Sequence, residues 1–243
     1  MKSLWISSAE AEISPRLTGN ISTDVLIVGG GIAGLLCAYK LSQAGTDSVV
    51  VDADTIGSGT TGNSTAKITF QHSLIYDKLI KQRGAETAKK YLEIQKKACK
   101  EYERLSETID CGYEKKDSYV YALSDREKIE KEVSAYRILG EEAEFVESTL
   151  LPFSVAGAVR IRNQAQFNPM KFICGIKENL RIYERTKVKE FLPGRAVTKT
   201  GEIKYKKVII ATHFPIINKH GGYFLKMYQH RSYVIALTGA QDV

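Results

Sequence analysis

Cysteine is sparse in this 243-residue chain, and Cys37, Cys99, Cys111 and Cys174 form no CxxC pair and no metal-ligand spacing. That excludes a disulfide scaffold and a structural zinc site, and points to reduced thiols in a cytoplasmic protein. Cys37, within a helical pattern, reads as a small buried hydrophobe. Long apolar runs are missing as well. The longest, 25–38, is interrupted by four glycines and is too short to span a bilayer, and Leu4-Trp5-Ile6 is too brief for a secretory core. Repeats and low-complexity tracts are absent. The net charge of +7 invites an acidic partner. However, Lys81, Lys89, Lys90, Lys96, Lys97 and Lys100 are interleaved with Glu86, Glu93, Glu101 and Glu103, the pattern of a solvated helix face with i, i+4 pairs, so no nucleic-acid partner is expected.

What is present centres on residues 23–54. Val25 to Val28 form a strand-like apolar run, Gly29, Gly31 and Gly34 fill the places of GxGxxG, and a helical pattern runs from Ile32 to Gln43. Val49 to Val51 form a second β-branched run closed by Asp52, 18 residues after Gly34. Strand, tight turn, helix, strand and acid in this order describe a dinucleotide site. The helix amides face a pyrophosphate and Asp52 accepts from a ribose. Residues 57–65, GSGTTGNST, follow directly and are all Gly, Ser, Thr or Asn. Hydroxyls and free amides at that density suit ribose, pyrophosphate and a ribityl chain, whereas a nicotinamide dehydrogenase has less use for such a loop.

The remaining pattern predicts a polar lead-in over 1–22 with Trp5 as a packing anchor, a helical stretch over Leu74–Ile80 and one long amphipathic helix from Ala85 to Ile109. A strand over Tyr119–Leu123 and a helix capped by Asp125 follow, with further strand-like segments at Phe145–Val146 and Ala156–Ile161. Asn168 and Pro169 are the cap and first position of another helix. Short strands at 181–183, 186–191, 196–198 and 203–205 suggest a small antiparallel ribbon, Val208–Ala211 a buried strand, and Tyr223–Leu237 a last extended segment. The fold class is α/β: a Rossmann-like domain over 23–70 and 160–215, with an inserted α+β domain over 71–159 that continues at 216–243.

With Gly29 to Asp52, the 59–67 segment GTTGNSTAK and the late strand ending Ala211-Thr212-His213 in view, the chain resembles the FAD-dependent oxidoreductases of the D-amino-acid oxidase and glycine oxidase family. The 59–67 segment is most similar to a bacterial branch whose members often carry a C-terminal Rieske iron–sulfur domain. The resemblance implies FAD as cofactor. It puts Gly29, Gly31 and Gly34 at the pyrophosphate and Asp52 at the adenosine ribose. Thr60, Thr61, Ser64, Thr65, Ala66 and Lys67 would lie along the ribityl chain and flavin, Val188 at adenine, and Ala211 and Thr212 over the cofactor. It also implies hydride transfer from an amine-bearing carbon of a small amine or amino-acid substrate to flavin N5. His72, with Gln71 beside it after the flavin loop, and Arg231, as a partner for a substrate carboxylate, are the weak candidates for substrate contact. The family has a further C-terminal portion that caps the flavin, while this sequence stops at Val243 without a Rieske CxH or CxxH motif. The expectation is therefore an N-terminal portion, truncated at the C-terminus, with any iron–sulfur electron acceptor outside this chain. The alternative is a non-catalytic flavoprotein fragment that needs the missing part or a partner chain.

Overall fold

The computed structural model describes residues 3–9, 12–217 and 221–230. They divide into two units: residues up to Thr65 and from Asn168 onward form the first, and Ala66–Phe167 the second. The chain changes unit a few residues away from the expected 70 and 160. The described part of 216–230, expected in the inserted domain, groups instead with the first unit.

The first unit opens with a single helical turn, α1 (Leu4–Ser7), where no periodicity announced one. The strand β1 (Ile21–Val28), the helix α2 (Ile32–Gln43) and the strand β2 (Ser48–Val51) make the expected parallel β-α-β unit. Leu26, Ile27, Val49 and Val51 are fully buried, since a parallel strand is covered on both faces. Cys37 is only half-buried, so its expected burial is not met.

The second unit starts with the short strand β3 (Lys67–Ile68), followed by the helices α3 (Tyr76–Arg83) and α4 (Ala85–Ser106), parted at Gly84. Next come the strand β4 (Glu114–Ala122), the helix α5 (Arg126–Ile138), and the strands β5 (Glu144–Val146) and β6 (Gly157–Gln166). β6 is the centre of an antiparallel sheet, with β4 on one edge and β3 and β5 sharing the other. Asp125 caps α5 by accepting from the Lys128 amide at 3.1 Å, as its sequence context predicts. The core packs Tyr76, Leu92, Ile129, Val133 and Tyr136 from the helices onto Val159 and Ile161 of the sheet.

Inside that core lies a carboxylate. Glu132 is wholly buried and accepts from the Tyr76 and Asp77 amides at 2.9 Å each, so α5 supplies the cap of α3. Burial raises its pKa above the ordinary carboxylate range, and the backbone donors of Asp77, Tyr76 and Ile75 offset only part of that.

Back in the first unit, the helix α6 (Pro169–Ile176) begins as predicted, with Asn168 Oδ1 accepting from the Met170 and Lys171 amides at 3.1 Å. The strands β7 (Arg181–Tyr183), β8 (Glu190–Leu192), β9 (Arg195–Val197) and β10 (Glu202–Ile210) complete a six-stranded sheet of order β7-β2-β1-β10-β9-β8. Three expectations are corrected here. β7 is a parallel edge strand on β2 and not part of the antiparallel ribbon. The two short strands expected at 203–205 and 208–211 are one strand, continuous because β1 pairs with it from Ile21 to Val28. Val208 and Ile209 are half-buried and Ile210 is exposed, because β9 covers only the first residues of β10. Beyond β10, Tyr223–Lys226 forms a helical turn, α7, where an extended segment was expected.

Two outcomes follow from the buried groups of the second unit. Glu132 binds its proton more tightly folded than unfolded, so its contribution to stability is full below the unfolded value, near 4.5, and is lost as pH rises through the folded value. In urea titrations the wild type should therefore gain stability relative to Glu132→Gln as pH is lowered towards that value. The Tyr136 hydroxyl has no partner among the described residues, so Tyr136→Phe should be neutral or stabilising by up to about 1 kcal/mol in the same assay.

Candidate functional site

The glycines at the β1–α2 turn work by proximity. Gly29 adopts φ +114°, and a Cβ there would lie 2.5 Å from the Ala211 carbonyl oxygen. A Cβ on Gly34 would collide with the Gly29 carbonyl, so any larger residue pushes α2 off the strand end. Gly31 is the N-cap of α2, provides no side-chain cap, and the first turn of the helix carries no acidic residue. The positive end of a twelve-residue helix is therefore not neutralised by its own side chains.

Neighbouring groups hold this turn. Asp52 Oδ2 accepts from the Gly30 amide at 2.6 Å, and its Oδ1 from the Asp54 amide at 2.8 Å. Each oxygen keeps further acceptor capacity. Thr61 Oγ1 accepts from the Ile32 amide at 3.0 Å, so the missing cap of α2 comes from the polar loop. The Ala211 amide donates to the Val28 carbonyl at 2.8 Å, placing Ala211 and Thr212 beside Gly29.

The 57–65 loop is built rather than loose. The Gly57 amide donates to Gly30 O at 3.0 Å, and the Gly62 amide to Gly57 O at 2.8 Å. Asn63 Nδ2 reaches Gly59 O at 2.8 Å. Sequence reasoning missed the residue that sets where the loop begins. Glu184, 1% exposed, accepts from the Ile56 amide at 2.6 Å and also from the Ser14 amide. Beside it the Thr186 amide donates to Asp52 O at 2.7 Å. An acid inside the apolar context Ile182-Tyr183-Glu184 is the one trace of this in the sequence.

The structure thus gathers Gly29, Gly31, Gly34, Asp52, Thr61, Ala211 and Thr212 around one strand end. Thr60 and Thr65 are exposed and Ser64 half-buried in the same unit. Val188 packs half-buried on the cluster of Leu17, Leu26 and Val49. Ala66 and Lys67 open the second unit, with Ala66 buried and Lys67 exposed. His72 is exposed in that unit, its Nδ1 3.0 Å from the Tyr91 hydroxyl. The Gln71 amide is occupied structurally, donating to Val159 O at 3.0 Å and accepting from Ser118 at 2.6 Å. Arg231 lies outside the described residues. The second unit also holds a cavity of about 340 Å³ lined by Lys96, Cys99, Glu103, Arg160 and Gln164. Among the described residues no cluster of His, Cys, Asp or Glu could hold a metal, and no helix is long and apolar enough to cross a membrane.

A family model described as FAD dependent oxidoreductase, DAO, matches residues 24–242. The chain belongs to this family. It is 34% identical to the Bacillus subtilis (strain 168) protein named putative Rieske 2Fe-2S iron-sulfur protein YhfW, over 96% of this chain and 48% of that one. It is 27% identical to the gamma-glutamylputrescine oxidoreductase of Escherichia coli (strain K12), over 80% of this chain and 50% of that one. The chain spans about half the length of these relatives. Among solved structures, the L-proline dehydrogenase from P. horikoshii shares the fold, with a TM-score of 0.65 at 20% identity over 81% of this chain and 54% of that one.

The cofactor of the DAO family is FAD, and the residues present fit it. A side chain on Gly29 or Gly34 would fill the turn, the N-terminal end of α2 suits a pyrophosphate, and Asp52 retains acceptor capacity for a ribose. Because Thr61 caps α2 from outside it, Thr61→Val should cost the first unit about 1 kcal/mol in urea denaturation, in keeping with a lost N-cap. Gly34→Ala should cost about 2–3 kcal/mol by overpacking.

Proposed function

We propose that this chain is the FAD-binding portion of an oxidoreductase acting on a small amine or amino acid. The observation that carries the reading is the α2 N-terminus, uncapped by its own residues and framed by Asp52, Thr61 and Ala211, in a chain of the DAO family. In this reading Gly29, Gly31 and Gly34 face the pyrophosphate and Asp52 the adenosine ribose. Val188 serves adenine, and Thr60, Thr61, Ser64, Thr65, Ala66 and Lys67 serve the ribityl chain and flavin. The first unit is the FAD-binding domain and the second contributes to the substrate side. FAD, when bound, supplies a hydride acceptor at N5, so that an amine-bearing carbon is oxidised to an imine that water hydrolyses.

The residues of the chain orient and hold. Thr61 occupies the Ile32 amide and so ties the polar loop to the start of α2, while Asp52 ties the second strand to the glycine turn. Arg231 remains a candidate for pairing with a substrate carboxylate, and His72 for contact on the substrate side. The Bacillus subtilis relative, named as a putative Rieske 2Fe-2S iron-sulfur protein, supports an iron–sulfur electron acceptor outside this chain. A second reading, in which the chain binds FAD and turns over only together with further protein, is favoured by its matching about half of each curated relative.

The purified chain should be yellow, carry a flavin spectrum and release FAD on denaturation. Asp52→Ala should weaken FAD binding by about 10- to 150-fold, one lost charge-assisted hydrogen bond being worth roughly 1.5–3 kcal/mol. Anaerobic addition of sarcosine, glycine or D-amino acids should bleach the flavin under the first reading. An unbleached flavin that bleaches only when a longer form is supplied supports the second, and a protein that binds no flavin contradicts both.

A further inference from the structure

The polar loop is tied at both ends to residues that precede β1. At its start, Glu184 accepts from the Ile56 amide and from the Ser14 amide, so one buried carboxylate joins the loop to the lead-in segment. Farther along, Ser3 Oγ donates to the Gly62 carbonyl, and Trp5 Nε1 donates to the Ser64 carbonyl at 2.8 Å. α1 also packs closely on Gly62, where a Cβ would sit 2.8 Å from Ile6 Cγ1. Asn168 Nδ2 donates to Ser8 Oγ at 2.9 Å, anchoring the end of α1 to the cap of α6. α1 is four residues long and buries none of them. An isolated turn of that length has no stability of its own, so it stands because of these contacts.

We infer that Trp5 is a positioning residue for the cofactor loop: its indole N–H fixes the Ser64 end in the shape that receives FAD, and so sets FAD affinity. The inference rests on the FAD-binding reading above. A loop that samples other shapes binds with its intrinsic affinity multiplied by the fraction in the competent shape. Loss of the indole donor therefore acts on binding even though Trp5 belongs to a segment outside the β-α-β unit.

The sequence contains a single tryptophan, which makes Trp5 its own reporter. In the wild-type apoprotein, titration with FAD should quench tryptophan emission saturably, with the same dissociation constant as flavin fluorescence gives. Trp5→Phe keeps a ring at this position and removes the donor, while Ser3→Ala removes the neighbouring bond to Gly62. At a temperature where each protein is fully folded, each variant should bind FAD about fivefold more weakly, the loss expected for one net hydrogen bond. A role confined to stability would lower the urea midpoint of the apoprotein and leave FAD affinity untouched. That result, or a wild-type titration without tryptophan quenching, would overturn the inference. A wild type that binds no FAD by flavin fluorescence would instead overturn the reading on which it rests.

Discussion

The close approach of α2 to the end of β1 is the constraint on which the first unit depends. The helix reaches this position only because Gly34 has no side chain to meet the Gly29 carbonyl. Once it is seated there, the Gly30 amide falls within reach of Asp52 and the Ile32 amide within reach of Thr61. β10 brings Ala211 against Gly29 from the other side. Strand end, helix start, acid and polar loop are thus consequences of one contact. The same contact leaves the helix N-terminus without a cap of its own, which is what suits it to an anion.

Around this contact the loop is held by buried polar groups more than by apolar packing. Glu184 and Thr186 link the strand β7 to Asp52, Ile56 and the lead-in segment. Burying a carboxylate is costly unless its oxygens are satisfied, and here two backbone amides do so. Glu132 repeats the device in the second unit, where a buried acid on α5 organises the start of α3. In both cases the acid specifies where a backbone segment begins, the polar loop in one and a helix in the other, a task that non-directional apolar contacts perform poorly.

Much of the fold was legible because its determinants are local. The glycine spacing, the β-branched runs, Asp125 as a cap and the Asn168-Pro169 helix start are each decided within a few residues. What escaped was decided across the chain. The sequence pattern divides β10 in two at Lys206 and Lys207, which separate Ile203–Tyr205 from the apolar Val208–Ala211. In the structure Lys204, Lys206 and Lys207 are exposed, with Lys206 paired to Asp24, while β1 supplies the pairing that keeps the strand whole. Likewise α1 has no periodicity to detect, since its partners lie some 60 residues later, at Gly62 and Ser64. The glycines, Asp52 and the polar loop of the site could be read. The use of Thr61 as the cap of α2, and the role of Glu184, needed three dimensions.

The central claim is that the amides at the start of α2 receive the pyrophosphate of FAD. Hydrogen–deuterium exchange on the intact chain with and without FAD tests it most directly. The account predicts slowed exchange concentrated over Gly29–Leu35 and residues 57–65 when FAD is added. Bound FAD with exchange at Gly29–Leu35 unchanged would contradict it.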